Sequence, residues 1–444
     1  MRYTRTVVCG VVLAISLGVA TSPVAAQSAA GDKPKATEVG VTAKEIRIAV
    51  IADDENQLAP GVFHAMPVGV KAFAKYINSH GGLAGRKVVI DFIDSHLNAD
   101  EARNATITAC SQDYAMIGTA ALFLNNMDDA NSCVDKAGAA TGLPDLSAVS
   151  TDPAEQCSPL NFGLNPPQLD CATKDQATQT YRQNQGPGKY YLRAINKNLH
   201  GVFLYSNDLK SSTVSGISLG RASQAGGVKS DGEIGLSARA TQSMFTPAVQ
   251  QMKAKGSNYA FNGGAFSTMV ALRKEAKLQG INPDKIVWDC ASNCYDKQFL
   301  AQGGADVEGQ YAWLQQLPLN EPKSNAALAN YIKFVGGPNN ASGFGAYAWL
   351  TGLLLRDSVN AIVKRDGVNG LTRAALLAQL KNTHAFNGDG MWGTTDVGNH
   401  VPTSCFMLTQ VKNGKFARVY PTKPGTFDCK KSNRVQIHAN LAGK

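Results

Sequence analysis

Blocks of like charge and the common catalytic motifs are missing from this sequence. Its 43 Lys and Arg exceed its 34 Asp and Glu by nine, but the excess is spread over 444 residues and forms no basic run. A nucleic-acid partner is therefore not expected, because such partners attract clustered positive charge. The chain has no HExxH and no GxxxxGK motif, and its seven His residues lack the spacing of metal ligands. We predict neither a bound metal nor a cofactor.

Long apolar runs are scarce beyond the N-terminus. Residues 346–363 form the one later stretch that is long enough to suggest a membrane span. Arg356 and Asp357 lie near its centre, where they would be costly in lipid. The stretch is therefore predicted to be a long core helix.

The N-terminus has the pattern of an export signal. Residues 1–26 combine a basic start, an apolar stretch and a small-residue cleavage site, and predict a signal peptide. Cys9 precedes most of the apolar stretch, so it is badly placed for lipid attachment. Residues 27–43 lack periodicity and predict a flexible leader. We expect a periplasmic or secreted protein.

Cysteine is uncommon but even in number once the signal peptide is removed. Nine Cys minus Cys9 leaves eight, and an even count in an exported protein indicates disulfides. A zinc site at Cys290 and Cys294 is the alternative, but no His or further Cys pair lies nearby at ligand spacing. Pairing sequence neighbours predicts four bridges: Cys110 with Cys133, Cys157 with Cys171, Cys290 with Cys294, and Cys405 with Cys429.

What the chain does contain is an alternation of short apolar runs with amphipathic segments. The pattern starts with a strand, helix and strand at 45–95 and predicts a doubly wound parallel sheet, with its ligand crevice beyond the carboxyl ends of the strands. Paired prolines at 166–167 interrupt it. The first series predicts strands at 46–51, 88–93, 114–117 and 143–148 and helices at 98–110 and 126–139.

A second series of the same kind follows the prolines. It predicts a helix at 174–185 and then a second sheet, so the predicted fold class is α/β, with two doubly wound Rossmann-like lobes. A final hairpin is expected around Lys412-Asn413-Gly414. Further predictions are strands at 201–205, 228–234, 259–262 and 285–288, and helices at 211–224, 247–255, 266–278, 325–334, 346–364 and 372–381.

One short motif points to another functional class. Residues 216–220 fit the GxSxG pattern of serine hydrolases. A nucleophile of that kind needs a turn directly after a strand, and Ser218 falls inside the predicted helix at 211–224. A secreted serine hydrolase that uses Ser218 is kept as an alternative.

Seven stretches carry a family resemblance: IRIAVI at 46–51, AFAKYINSHGGLAGRKVVIDFIDS at 72–95, the GT of AMIGTAALF at 115–123, GVFLYSND at 201–208, YAFNGGAFSTMVALRKEAKLQG at 259–280, GADVEGQYAW at 304–313 and LTQVKNGKFARVYP at 408–421. They resemble the Leu/Ile/Val-binding branch of the type I periplasmic binding proteins, which feed ABC importers and have no catalytic step. The resemblance implies three hinge crossovers between the lobes, near Asn165, near Tyr311 and between Met391 and Pro402. It also implies two lobes, 44–165 with 318–390 and 166–317 with 391–444.

The resemblance further implies a ligand site. In the family, backbone N–H groups and hydroxyls after the third and fourth strands hold an amino-acid carboxylate, and an aromatic residue after a Gly-Gly turn packs on the ligand. Leu122 stands where the family has Ser, and Asp289 is the only charge where the family has Glu. Asp53 either binds ligand or, as we favour, caps a crevice loop. The predicted contacts are Asp53, Thr119, Ala120, Ala121, Leu122, Phe123, Ser150, Thr151, Tyr205, Gly264, Phe266 and Ser292.

These observations predict an extracytoplasmic solute-binding protein. It would act as a monomer, capture an amino acid or an organic or aromatic acid between two closing lobes, and deliver it to an ABC permease. A binding protein that signals to a membrane receptor is the nearest alternative.

Overall fold

The computed structural model describes residues 1, 32–55, 61, 63–165, 169–172 and 178–440. The predicted signal peptide, apart from Met1, lies outside these ranges. Residues 27–31 of the predicted leader and the prolines at 166–167 also lie outside them. The elements below belong to the compact unit Lys33–Lys444.

The first part of the chain alternates strands and helices because its apolar runs are buried on both faces. Ile48 and Val50, for example, are fully buried in the first strand. The four strands are parallel and lie in the order second, first, third, fourth. The elements are β1 (Glu45–Ala52), α1 (Ala65–Ser79), β2 (Lys87–Asp94), α2 (Ala99–Gln112), β3 (Ala115–Ile117), α3 (Asp128–Asn131), β4 (Asp145–Leu146) and α4 (Pro153–Gln156).

The middle of the chain builds most of a second, larger sheet. Its strands β6 to β10 all run parallel, and β5 lies apart from them. The elements are β5 (Thr178–Asn184), α5 (Gly186–Ala194), β6 (His200–Ser206), α6 (Lys210–Ala225), β7 (Lys229–Leu236), α7 (Thr246–Lys255), β8 (Tyr259–Asn262), α8 (Phe266–Leu278), β9 (Val287–Cys290), α9 (Lys297–Gly303) and β10 (Tyr311–Leu314).

The last part returns to both sheets. Three helices join the first sheet: the long middle one packs on β3, β4 and α1, and the other two pack on α1 and on that long helix. A hairpin then extends the second sheet to seven strands, in the order β12-β11-β10-β9-β8-β6-β7. The final strand pairs antiparallel with β5 in a separate ribbon. The elements are α10 (Ala326–Phe334), α11 (Gly343–Asp366), α12 (Arg373–Lys381), β11 (Met407–Lys412), β12 (Lys415–Tyr420) and β13 (Arg434–Asn440).

The chain passes between the two sheets three times: after β4, after β10 and after α12. The second and third passages run side by side, since Gln316 pairs with Trp392. The first passage adjoins the third, where the rings of Phe162 and His400 stack at 5.4 Å. Tyr311, near which a crossover was predicted, begins β10, and the passage starts three residues later, after Leu314.

Two predicted helices are wrong. Only Asp128–Asn131 is helical within 126–139, because Asp135 turns the chain by accepting hydrogen bonds from the amides of Ala137 and Ala139. Within 174–185, the described residues form the strand β5. This strand depends on a partner more than 250 residues away in sequence, which local periodicity does not reveal.

The apolar stretch at 346–363 forms most of the core helix α11, as predicted. Its side chain Trp349 is fully buried, while Arg356 bonds to Asp389 and Asp357 at the surface. Within the described ranges, no helix has the length and apolar character needed to cross a bilayer.

The third passage contains a glycine pattern that resembles a nucleotide-binding loop. Residues 388–393 match GxGxxG, the spacing of a dinucleotide-binding turn. That turn requires a strand directly before it and a helix directly after it, and here the residues form turns between α12 and β11. The pattern therefore carries no nucleotide-binding role.

The four predicted cysteine pairs are the ones that lie at disulfide distance. Cys157 follows α4, whereas Cys171 lies beyond the first passage, next to a segment that pairs with β5. This pair therefore closes a loop that contains the first passage. No group of three His, Cys, Asp or Glu side chains in the described part of the chain could hold a metal ion.

Candidate functional site

A cleft opens between the carboxyl ends of the strands of both sheets. It consists of two adjoining cavities of about 210 Å³ and about 340 Å³. One wall comes from loops of the first sheet and the other from turns of the second sheet. Both cavities are lined by Phe63, Ala238, Ala265, Asn293 and Phe344.

Asp53, directly after β1, organises the first wall. Its buried carboxylate accepts hydrogen bonds from the Ser95 hydroxyl at 2.7 Å, the Leu97 amide at 2.9 Å and the Leu122 amide at 2.7 Å. Burial raises the pKa of Asp53, and the hydrogen bonds oppose that rise. The side chain joins three loops from behind and does not line the cleft, which agrees with the capping role that we favoured.

In the loop after β2, Leu97 lines the cleft, and two residues of this loop have an unfavourable backbone conformation. His96 and Leu97 both have positive φ values, 49° and 54°, which cost about 1–2 kcal/mol for each residue other than glycine. The carboxylates of Asp94 and Asp53 hold their amides in place. Such strain concentrates at functional sites, and here it directs Leu97 into the smaller cavity.

The turn after β3 contributes less to the cleft than was predicted. Gly118 begins it at a φ of 67°, where a Cβ would lie 2.8 Å from a methyl group of Val70. Thr119 is fully buried and donates its hydroxyl proton to Asp145 at 2.7 Å. Ala120 and Ala121 are also buried, and Phe123 is not part of the cleft lining. Leu122 is the residue of this turn that lines the cavity.

The turn after β4 adds one polar group to the cavity. Thr151 lines it, and its buried hydroxyl has no hydrogen-bond partner among the described residues. Ser150 lies behind the wall, where its hydroxyl accepts a hydrogen bond from the Asn161 side chain at 3.3 Å. The two predicted hydroxyls therefore separate into one at the cleft and one that supports its loop.

Two buried acids lie beneath this turn. Burial raises the pKa of Asp145 to about 7, and burial together with the charge of Asp145 raises the pKa of Glu155 well above its usual value. The carboxyl of Glu155 is fully buried and lies close to the carboxyl of Asp145 and the hydroxyl of Ser150. The base of the first wall is therefore sensitive to protonation.

The second wall is built from the turns after β6, β8 and β9. The Asn262 side chain shapes the Gly-Gly turn, because it accepts from the Gly264 amide at 3.0 Å and donates to the Ala265 carbonyl at 2.9 Å. Gly264 lines the smaller cavity, and Phe266 and Ser292 line the larger one. These three predicted residues therefore lie at the cleft, facing the loops of the first sheet.

Two further predicted positions lie away from the cleft. Tyr205 packs in a small cluster with Leu169, Tyr181 and Ile217. Asp289 is fully buried and accepts hydrogen bonds from the hydroxyls of Tyr191 and Tyr259, and burial raises its pKa to about 7. Asp289, the charged residue where the resembled family has a glutamate, thus offers no carboxylate to the cleft.

Comparison with known families decides what kind of site this is. The family model described as "Periplasmic binding protein" matches residues 45–415. The chain belongs to this family. The family comprises the extracytoplasmic substrate-binding proteins of ABC transporters and not enzymes. A search of curated protein sequences found no match.

Solved structures show the same fold as this binding protein. An ABC transporter substrate-binding protein of Aeropyrum pernix matches with a TM-score of 0.66 and 15% identity, over 87% of this chain and 97% of that one. The leucine-binding protein LivK of Thermotoga maritima matches with 0.61 and 14%, over 84% and 97%. The branched-chain amino-acid binding protein LivJ of Streptococcus pneumoniae, solved with isoleucine, matches with 0.61 and 17%, over 85% and 100%. The predicted type I fold with two Rossmann-like lobes is confirmed.

Several cleft residues of this binding protein were missed by sequence reasoning. Phe63 precedes α1 and Phe344 lies in the first turn of α11, yet their rings meet edge to face at 5.4 Å. Their positions differ by 281 in the sequence, so only the fold reveals the pair. The only sequence feature that could have indicated these two residues is that each is an aromatic residue close to the start of a helix. Other missed lining residues are Leu97, Val149, Ser206, Asp208, Leu209, Ser212, Ser215, Asn293, Tyr295 and Asp296.

The hydrolase alternative finds no support at Ser218. This side chain lies inside α6 and is fully buried. Its hydroxyl donates to the Ser215 carbonyl and accepts from the Gln183 amide. A catalytic serine must reach a substrate and a base, whereas Ser218 is buried between α6 and the β5 residue Gln183.

Proposed function

We propose that this protein captures a small ligand between its two lobes outside the cytoplasm and delivers it to an ABC importer. The single observation that carries the proposal is the shared cleft, whose lining comes from both sheets. A ligand that contacts both walls binds more tightly when they approach, and that difference in affinity drives closure. The membrane permease is the proposed partner, and a monomer is the proposed form.

The three passages support a hinge between the lobes. They lie side by side, through the pairing of Gln316 with Trp392 and the stacking of Phe162 on His400, so one axis could serve all three. The proposed lobes are 44–165 with 318–390 and 166–317 with 391–444. A shift from mostly open to mostly closed requires about 5.5 kcal/mol of differential binding.

The proposed ligand contacts are the predicted residues that line the cleft. They offer an apolar surface, a hydroxyl and backbone groups, which suits a small ligand with an apolar body and few polar groups. The sequence predicted an amino acid or an organic or aromatic acid, and the apolar lining supports the hydrophobic part of that prediction. The contacts are Leu122, Thr151, Gly264, Phe266 and Ser292.

A ligand screen on two variants tests the capture function. Thermal shift against amino acids, organic acids, amines and alcohols should find compounds that raise the melting temperature of the wild type. Ala265→Trp fills the wall that both cavities share, so it should abolish that rise. Ala326→Trp is the control, because Ala326 is exposed at the start of α10.

Two results would contradict the proposal. One is a screen in which no compound stabilises the wild type. The other is a stabilising compound that binds Ala265→Trp as tightly as it binds Ala326→Trp, since that ligand would not occupy the cleft.

A further inference from the structure

We infer that the natural ligand is an apolar molecule with an uncharged or cationic hydrogen-bond donor, and that it carries no carboxylate. The inference rests on the proposed capture function and names its ligand class. It depends on three features of the cleft: the sign of its charges, the state of the turn after β3, and one buried acceptor.

The charged side chains among the described lining residues are both acidic. Asp208 lines the smaller cavity and Asp296 the larger one, while Lys and Arg do not occur among the described lining residues. The chain itself holds both carboxylates in place. Asp208 accepts from the Ser237 hydroxyl at 2.6 Å and the Ala238 amide at 2.7 Å, and Asp296 accepts from the Gln298 amide at 2.6 Å. Like charges repel in a desolvated cleft, so a ligand carboxylate is disfavoured and a cation is favoured.

The turn after β3 already holds a carboxylate from the chain itself. The Leu122 amide donates to Asp53 at 2.7 Å, so it is not available to a ligand in this arrangement. A ligand carboxylate bound at this turn would also lie close to the side chain of Asp53. Both effects oppose an acid on the first wall.

Asn293 presents a hydrogen-bond acceptor between the two cavities. Its Nδ2 donates to the Gly264 carbonyl, which fixes the orientation of the amide, because the opposite orientation would place two oxygens together. Its Oδ1 is buried and has no partner among the described residues. A buried acceptor requires a donor, and an amine, an amide N–H or a hydroxyl would supply one.

The remaining surface suits an apolar or aromatic body. Phe63, Phe344 and Phe266 come from three separate segments of the chain. Leu97 and Leu122 line the smaller cavity together with Phe63 and Phe344. Burial of each methylene group contributes about 0.8 kcal/mol. Most of the affinity would therefore come from the hydrophobic body, and the polar group would determine which ligand is selected.

A matched series of four compounds tests the ligand class. Phenethylamine, phenethyl alcohol, 3-phenylpropionate and phenylalanine share one aromatic body, and their binding to the wild type is measured by calorimetry at neutral pH. The amine and the alcohol should bind at least roughly tenfold more tightly than the propionate, a difference of about 1.4 kcal/mol. If none of the four binds, the inference is tested on the strongest ligand of the thermal-shift screen, which should carry a hydrogen-bond donor and no carboxylate.

The propionate or phenylalanine binding as tightly as the amine would overturn the inference, and so would a strongest screen ligand that carries a carboxylate. Neither result would affect the capture function, because the Ala265→Trp comparison does not depend on the charge of the ligand. The two proposals therefore fail on different measurements.

A charge variant connects the preference to the cleft. Asp296→Asn keeps the side-chain oxygen that caps α9 and removes the charge. It should weaken amine binding by roughly tenfold and leave alcohol binding unchanged, because a hydrogen bond to a charged partner is the stronger one. Asp284→Asn makes the same change at an exposed site before β9 and should alter neither. Equal losses for amine and alcohol in Asp296→Asn would contradict the assignment.

Discussion

Asp53 is the residue on which the first wall depends. Asp53→Asn keeps Oδ1 for Ser95 and Leu97 but turns a donor toward the Leu122 amide, so one buried hydrogen bond is replaced by a repulsive contact. We expect the free energy of unfolding to fall by about 1–3 kcal/mol, with weaker ligand binding. Urea denaturation and calorimetry measure both, with the exposed Asp100→Asn as control. An unchanged stability would show that Asp53 does not hold the loops.

The acid pair beneath the turn after β4 predicts a pH dependence. Folding raises the pKa of Asp145 to about 7 and that of Glu155 well above its usual value, so the folded state keeps protons that the unfolded chain releases. This contribution is complete below about pH 4 and is lost as the pH rises toward about 7, where each retained proton costs about 1.4 kcal/mol per pH unit.

Glu155→Gln should therefore flatten the decline in stability between about pH 4 and 7, and near pH 7 the variant should be more stable relative to the wild type than it is at pH 4. Urea unfolding at several pH values measures the slope. Glu101→Gln makes the same change on the exposed face of α2 and should reproduce the wild-type slope. Parallel curves for wild type and Glu155→Gln would exclude this pair as the source.

At the residue scale, sequence reasoning succeeded where local order decides the outcome. Asp53 follows an apolar strand, and its capping role could be expected from that position. Leu122, Thr151 and Phe266 were placed at the cleft through the family resemblance. Thr119 was placed there on the same grounds, and Tyr205 because it ends a strand. Hydrogen bonding and packing turn both side chains inward. Phe63 and Phe344 depend on contacts between distant segments, which no local pattern carries.

The approach of α6 to the turn after β8 sets the position of the second wall. A Cβ on Gly263 would lie 2.6 Å from the carbonyl oxygen of Gly216, a backbone atom that cannot move alone. Gly263→Ala should thus displace α6 and cost about 1–3 kcal/mol of stability, with a loss of ligand affinity. Gly220→Ala, in the same helix, meets the side chain of Phe203 at 3.1 Å and the ring of Phe261 at 3.5 Å but no backbone atom, and it gains helix propensity.

Thermal unfolding and calorimetry compare the two alanine variants. Gly220→Ala should remain close to the wild type in both measurements. Equal effects of the two substitutions would show that the close approach at Gly263 is not what positions the wall.

The disulfide around the first passage predicts a link between stability and binding. Replacing Cys157 and Cys171 by Ser frees a loop with a sequence separation of 14 and should lower stability by about 3 kcal/mol. The passage between the sheets is also freed, so closure should cost more and ligand affinity should fall. Urea unfolding and calorimetry measure the two effects.

The pair Cys405 and Cys429 provides a matched comparison, with a separation of 24. Its removal should cost a similar amount of stability and change ligand affinity less, because its loop does not contain the first passage. Equal losses of affinity in the two double variants would contradict a specific role for the bridge at Cys157.

Among the elements, those with strong local periodicity were predicted best. The strand β8 and the helix α8 have the predicted bounds, because each combines an apolar pattern with clear flanking signals. The ribbon of β5 and β13 was missed, since its strands pair across more than 250 residues. The segment at 126–139 was predicted as a helix because its composition allows one, but the side chain of Asp135 competes for the backbone amides.

At the scale of the whole molecule, two sheets are joined by three passages of the chain. The alternation of strands and helices and the proline break predicted two lobes, and the family match confirms the type I fold. The lobe boundaries and the closing motion remain predictions. The closing motion requires only about 5.5 kcal/mol of differential binding to shift the lobes from mostly open to mostly closed.

Small-angle X-ray scattering of the wild type, with and without its strongest-binding compound, tests the central claim most directly. If the cleft captures its ligand by closure, saturating compound should reduce the radius of gyration of the wild type, and Ala265→Trp should show no such change at the same concentration. A wild-type radius that stays constant while calorimetry shows saturation would contradict the account.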